Sequence, residues 1–126
     1  VLFPGSNSIN LSTVDSKTLS DAIPNDKRLA IFVIDGTWTE AKQIIRESKI
    51  LSQLPKLSFD VTVPSVYEFR KQPKKFCLST VEAVALLIES LRRKGLCNPV
   101  PENGHQTMLA GFKKLIQSQL AHKGNQ

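Results

Sequence analysis

Apolar residues fall along this chain in two rhythms. Continuous runs form the first: "VLFPG" (1–5) reads as a short strand stopped by a Pro4-Gly5 turn, and "LAIFVID" (29–35), β-branched in part, as a strand buried on both faces of a parallel sheet. "KLSFDVTV" (56–63), broken by Pro64, and "KFCLS" (75–79) follow as further strands. The second rhythm repeats every three or four residues. From Trp38 the residues Ala41, Ile44, Ile45 and Leu51 continue it, which predicts a helix with one buried face that ends at Leu54-Pro55. "TVEAVALLIESLRRKG" (80–95) predicts a helix apolar on most of its circumference, sandwiched between other elements, with cations in its last turn and Gly95 as a stop. After the proline-bearing connection "LCNPVPENG" (96–104), Met108, Leu109, Phe112, Leu115, Ile116 and Leu120 mark a last amphipathic helix, and the tail "HKGNQ" (122–126) is expected to fray. Residues 6–27 are polar, with one short helix expected near 17–22. Strands alternating with helices predict an α/β domain with a mainly parallel sheet flanked by helices.

Length bounds this picture. At 126 residues and 40% hydrophobic content the chain can bury one core, so residues 1–126 are expected to form a single globular unit. It begins at Val1 and enters "VLFPG" directly, which suggests a fragment. No apolar run approaches the roughly 20 residues needed to span a bilayer, so a soluble chain without a membrane partner is expected. Cys77 and Cys97 lack zinc-like spacing, and no metal site is assigned. Cys77 lies in an apolar run and is read as buried packing, with a redox or ligand role as the alternative; two unclustered thiols fit an intracellular location, nuclear or cytoplasmic, and leave one disulfide open.

Charge adds a partner class. The formal net charge of +6 permits a polyanionic partner without proving one. Arg70, Lys71, Lys74 and Lys75 cluster in "YEFRKQPKK" (67–75), and Arg92, Arg93 and Lys94 close the helix before Gly95. Such a run is read either as a solvated face or as phosphate contacts. Tyr67 and Phe69, in the same stretch, either stack on an exposed base or anchor the loop.

Candidate chemistry gathers where strands hand over to helices, because helix N-termini there present exposed N–H groups. Two junctions stand out, Asp35-Gly36-Thr37-Trp38 and Ser79-Thr80-Val81-Glu82. Thr37 to Glu40 and Ser79 to Glu82 both match the capping box, so hydroxyl and carboxylate at each have a structural explanation as well as a chemical one. Asp35 lies before the cap, where a carboxylate faces the mouth of the sheet, and Trp38 either joins the core or covers a base there. Neither a P-loop nor a GxGxxG motif is present. His105 reads as a polar residue at a helix start, and His122 lies in the tail.

Asp35-Gly36-Thr37-Trp38 with Glu40-Ala41 resembles the D-x-T-W signature of the DTW domain. "LFPG" upstream, "YEFRKQP" in the middle and "STVEA" at a helix start keep the order of further family elements, so the resemblance runs from Leu2 to about Phe112. It implies a SPOUT-like fold with a C-terminal trefoil knot in which "STVEA" and "LCNPVPENG" take part. It implies a tRNA-uridine aminocarboxypropyltransferase, moving the 3-amino-3-carboxypropyl group of S-adenosylmethionine to uridine N3 in tRNA and releasing methylthioadenosine. Family members commonly begin with a cysteine-rich zinc-binding segment; residues 1–126 hold none, as the fragment reading expects.

Under that resemblance Asp35, Thr37 and Trp38 are the expected catalytic residues, with Asp35 as the general base for the uridine proton and Trp38 near the sulfonium or the base. Pro4, Gly5, Asp35, Ser79, Thr80 and Glu82 are expected to hold the cofactor, and Tyr67, Arg70, Lys71, Lys74 and Lys75 the tRNA. A SPOUT-class RNA methyltransferase and a non-catalytic RNA-binding module are the alternatives. Oligomeric state is left open.

Overall fold

Leu2 is the residue around which the sheet assembles. It forms parallel bridges to Val33 on one side and Leu57 on the other. Its N–H donates to the Phe32 carbonyl at 2.9 Å, and the Phe3 N–H to the Leu57 carbonyl at 2.9 Å. Beyond Leu57, strand β2 (Leu57–Ser58) pairs in parallel with strand β1 (Ile9–Asn10). The computed structural model describes residues 1–23, 26–61, 79–97, 101 and 103–124. Within them the fold is mixed α/β: a two-stranded parallel sheet, widened by single-residue bridges, with four helices.

Helices occupy both sides. Helix α1 (Ser16–Asp21) is capped by Asp15, whose carboxylate accepts from the Thr18 N–H at 2.7 Å. Helix α3 (Thr80–Arg93) turns Leu87 and Leu91 onto Leu11, Leu19 and Leu57, the apolar cluster that Leu2, Ile31 and Val33 also meet. Each such fully buried side chain contributes about 1.5–3 kcal/mol. Since Leu2 faces this cluster, strand alternation sends Phe3 to the opposite face, where its ring stacks on Trp38 of helix α2 (Trp38–Glu47). Helix α4 (Gly104–Gly124) packs along α3.

Several expectations change. The run 29–35 is not a strand buried on both faces: it makes one bridge, at Val33, and Leu29 and Phe32 are exposed. Its partner segment is the cause, since pairing ends where Pro4, which has no N–H, follows Phe3. Helix α2 stops at Glu47, where Ser48 takes an extended backbone (ψ 114°), so Leu51 lies outside it. Of 56–63, only Leu57–Ser58 pairs as a strand, and 62–63 lie outside the described residues. Strand β1 was not expected in the polar stretch 6–27; two residues carry too little alternation to announce a strand. Helix α4 continues to Gly124, beyond the point where fraying was expected. The 75–79 strand and Cys77 lie outside the described residues, apart from Ser79, while Cys97 is half-buried with its thiol 3.8 Å from the Ile88 carbonyl. Among the described residues no helix is long and apolar enough to cross a membrane.

Candidate active site

The backbone reverses into α2 at Gly36, whose φ of +142° lies in a region that side chains rarely adopt. A Cβ there would also stand 3.1 Å from a Glu40 carboxylate oxygen. That carboxylate is held in place, because the Thr37 N–H and hydroxyl both donate to it, at 2.6 and 2.8 Å, and the Glu40 N–H returns to the Thr37 hydroxyl at 3.3 Å. Gly36 thus permits a reciprocal capping box at the edge of solvent. Helix α2 then leaves the sheet with Trp38 in its first turn.

Helix α3 begins in the same way. The Ser79 N–H and hydroxyl each donate to the Glu82 carboxylate at 2.8 Å, and the Glu82 N–H reaches the Ser79 hydroxyl at 3.4 Å. Here the box is buried, with Ser79 7% and Glu82 5% exposed. Burial makes these bonds obligatory, since no water can replace them. Glu82 is therefore engaged by its own helix, and Thr80 is the residue whose side chain leaves the box.

Thr80 joins the two junctions: its hydroxyl donates to Asp35 Oδ1 at 2.5 Å. Both groups stand at the rim of a cleft of about 170 Å³. Asp35, Ser79 and Thr80 form its polar end; Val81 of α3 and Phe112, Leu115 and Ile116 of α4 form an apolar wall, with Gln119 beyond them. Pockets that enclose a whole drug-sized ligand run to about 300–1,000 Å³, so this cleft accommodates part of one. Three residues after Asp35, the Trp38 indole lies on the Phe3 ring with centroids 4.9 Å apart and planes 14° from parallel. The parallel bridge from Leu2 to Val33 runs Pro4 and Gly5, just before a turn at Ser6-Asn7, toward the same end of the segments as Asp35.

Of the expected site residues, then, Asp35, Ser79 and Thr80 share one cleft, while Thr37 and Trp38 adjoin it through helix α2. Tyr67, Arg70, Lys71, Lys74 and Lys75 lie outside the described residues. Phe112 and Gln119 were not foreseen as lining residues. Phe112 had an apolar helical spacing that marked it only as core, and Gln119 carried no sequence signal. His105 sits in the first turn of α4 with Nδ1 3.4 Å from the buried Glu89 carboxylate, which also accepts from Arg92 and Arg93.

Comparison with known proteins adds an independent line. The chain is 27% identical over 124 residues to tRNA-uridine aminocarboxypropyltransferase 2 of Macaca fascicularis, covering 97% of this chain and 37% of the relative. Its mouse (Mus musculus) counterpart is 28% identical over the same coverage. The protein of that name in Drosophila melanogaster is 33% identical over 94 residues, 75% of this chain and 34% of the relative. The chain thus spans little more than a third of the length of these relatives. No solved structure matches. With Asp35, Thr37 and Trp38 around one helix start, and the DTW domain profile matching residues 1–120, the chain belongs to the DTW domain family.

Proposed function

We propose that residues 1–126 act as one catalytic unit that transfers the 3-amino-3-carboxypropyl group of S-adenosylmethionine to N3 of a uridine in tRNA. The bond from Thr80 to Asp35, made at the rim of the cleft, is the observation that carries this reading. It occupies Oδ1 of Asp35 and fixes the plane of the carboxylate, which leaves Oδ2 to accept a proton. Uridine N3 is a poor nucleophile until its proton leaves, so the chemistry requires a positioned base, a role the Asp35 carboxylate can fill.

The residues of the cleft fit the donor. A carboxylate suits a sulfonium, the Thr80 oxygen (as an acceptor) and the N-terminal end of α3 suit ribose and amino-acid groups, and the wall from Val81 to Ile116 suits apolar carbon. When bound, the sulfonium makes each attached carbon electrophilic, and the carbon aimed at N3 decides which group moves. With the donor bound, Asp35 would take the N3 proton, so that N3 could join the propyl carbon as the carbon–sulfur bond breaks and methylthioadenosine leaves. Thr37 and Trp38 hold the α2 start beside this exchange, with Ser79, Thr80, Pro4 and Gly5 toward the donor. Tyr67, Arg70, Lys71, Lys74 and Lys75 are assigned to the tRNA by charge and aromatic type alone.

The relatives' names support tRNA as substrate, and with it an intracellular site of action, nuclear or cytoplasmic. A SPOUT-like fold with a threaded C-terminal part belongs to the same reading; its support is the parallel pairing and the packing of α3 on α4. An experimental structure with an unthreaded α4 overturns that part. Incubating the intact protein with S-adenosylmethionine and unmodified tRNA tests the reaction, with nucleosides and by-product read by mass spectrometry. Aminocarboxypropyluridine with methylthioadenosine is the expected result. S-adenosylhomocysteine in its place assigns the site to a methyltransferase, and tRNA binding without either product assigns it to a binding module.

A further inference from the structure

Helix α2 carries more than the start of the site. Ala41 and Ile45 are its buried residues, and Trp38, Lys42 and Arg46 follow one another at spacings of four, which places them on a single ridge beside that buried face. Lys49 adds a third cation just past the helix end. Lys42 and Lys49 are exposed, and the Arg46 side chain is 77% exposed, with a long 4.0 Å contact to Glu47, itself exposed. The acids of the helix lie away from this ridge by helical spacing. Glu40 is held by Thr37, and Glu47 accepts from Gln43 at 2.9 Å. At the site end stands Trp38, 39% exposed and backed on one ring face by Phe3.

We propose that this ridge is a second RNA track: Lys42, Arg46 and Lys49 meet backbone phosphates, and Trp38, pinned by Phe3, stacks on a base next to the target uridine. Cations in line with an aromatic platform form the combination that holds an unpaired strand, because the charges track the backbone and the ring accepts any base. The ridge meets the candidate site directly, with Trp38 three residues after Asp35. A lipid surface is disfavoured, since the exposed apolar side chains near the ridge, Trp38 at one end and Ile50 past the other, do not form a contiguous patch, and exposed Ile44 projects from another side of the helix. The choice of RNA as occupant rests on the tRNA reading above, while the ridge itself does not.

Salt-dependent binding of an unmodified tRNA transcript tests it. Each lost phosphate contact lowers the slope of log affinity against log salt by about 0.7–0.9, so Lys42→Gln/Arg46→Gln/Lys49→Gln is expected to flatten it by about 2–3. Lys17→Gln/Lys113→Gln/Lys114→Gln removes the same charge elsewhere and is expected to leave the slope near that of the wild type. Trp38→Leu is expected to weaken binding roughly 5- to 100-fold without changing the slope, with Trp38→Phe restoring most of it. Circular dichroism melts check that each variant is folded. Equal slopes for the two triple variants, or no RNA binding by the wild type, overturn the ridge. A ridge variant that makes modified nucleoside with an unchanged KM for tRNA also overturns it and leaves the transferase reading standing. Ridge-dependent binding with no modified nucleoside from the wild type does the reverse.

Discussion

The chain builds the same capping box twice, at Thr37–Glu40 in the open and at Ser79–Glu82 under cover. The bonds match almost distance for distance, but their surroundings do not. Water can replace the first box, so Thr37 and Glu40 contribute little to stability; nothing replaces the second, so Ser79 and Glu82 are tied to the fold. Between the boxes runs the bond from Thr80 to Asp35, the contact with no structural duty of its own in either cap. A shared motif therefore says where a helix begins, and burial says what the motif is worth.

The largest expected effect separates chemistry from capping. Asp35→Asn retains an acceptor for Thr80 but loses the base, so transfer is expected to fall by about 10²–10⁴ while the melting temperature stays unmoved. A variant that still turns over at the wild-type rate removes Asp35 from catalysis. Next, Ser79→Ala strips the buried box of its hydroxyl and is expected to cost about 2 kcal/mol, read as a lower urea midpoint. Thr37→Ala, in the exposed box, is expected to cost about 0.5–1 kcal/mol by the same measurement. Equal losses in the last two would show that burial is not what divides the junctions.

A further effect is confined to acid and concerns the far end of α3. Hydrogen bonds from Arg92 and then Arg93 hold the Glu89 carboxyl down at about 2, against an ordinary value of 4.5. A depressed pKa means that the unfolded chain binds the proton first. The stabilisation is complete above about 4.5 and is lost as pH falls toward about 2. Stability measured against pH should therefore fall across this window in the wild type and more gently in Glu89→Gln. Equal slopes would show that the arginine bonds do not hold in solution.

What the sequence disclosed follows the length of each signal. Helices α2 and α3 were legible from periodicity and from the S/T-x-x-E starts, because those patterns are local. Strand β1, two residues long, was not, and the run 29–35 promised more pairing than its short partner provides. At the site, Asp35 was singled out as a carboxylate with no cap to explain it. Its partner Thr80, 45 residues away, and the α4 wall of Phe112, Leu115 and Ile116 depend on how helices pack, which no local spacing encodes.

The pairing of Leu2 with both Val33 and Leu57 also governs the order in which the molecule can assemble. Among the described residues no bridge of this sheet joins segments that a tight hairpin could connect, so each of these pairings must close a long loop before it returns any energy. On the ribosome, α2 can coil as soon as it emerges, whereas the N-terminal segment must wait for Leu57 before it gains its second partner. Until then Leu2, Ile31 and Val33 lack the cover that the Leu57 cluster supplies, and that interval of synthesis is prone to aggregation.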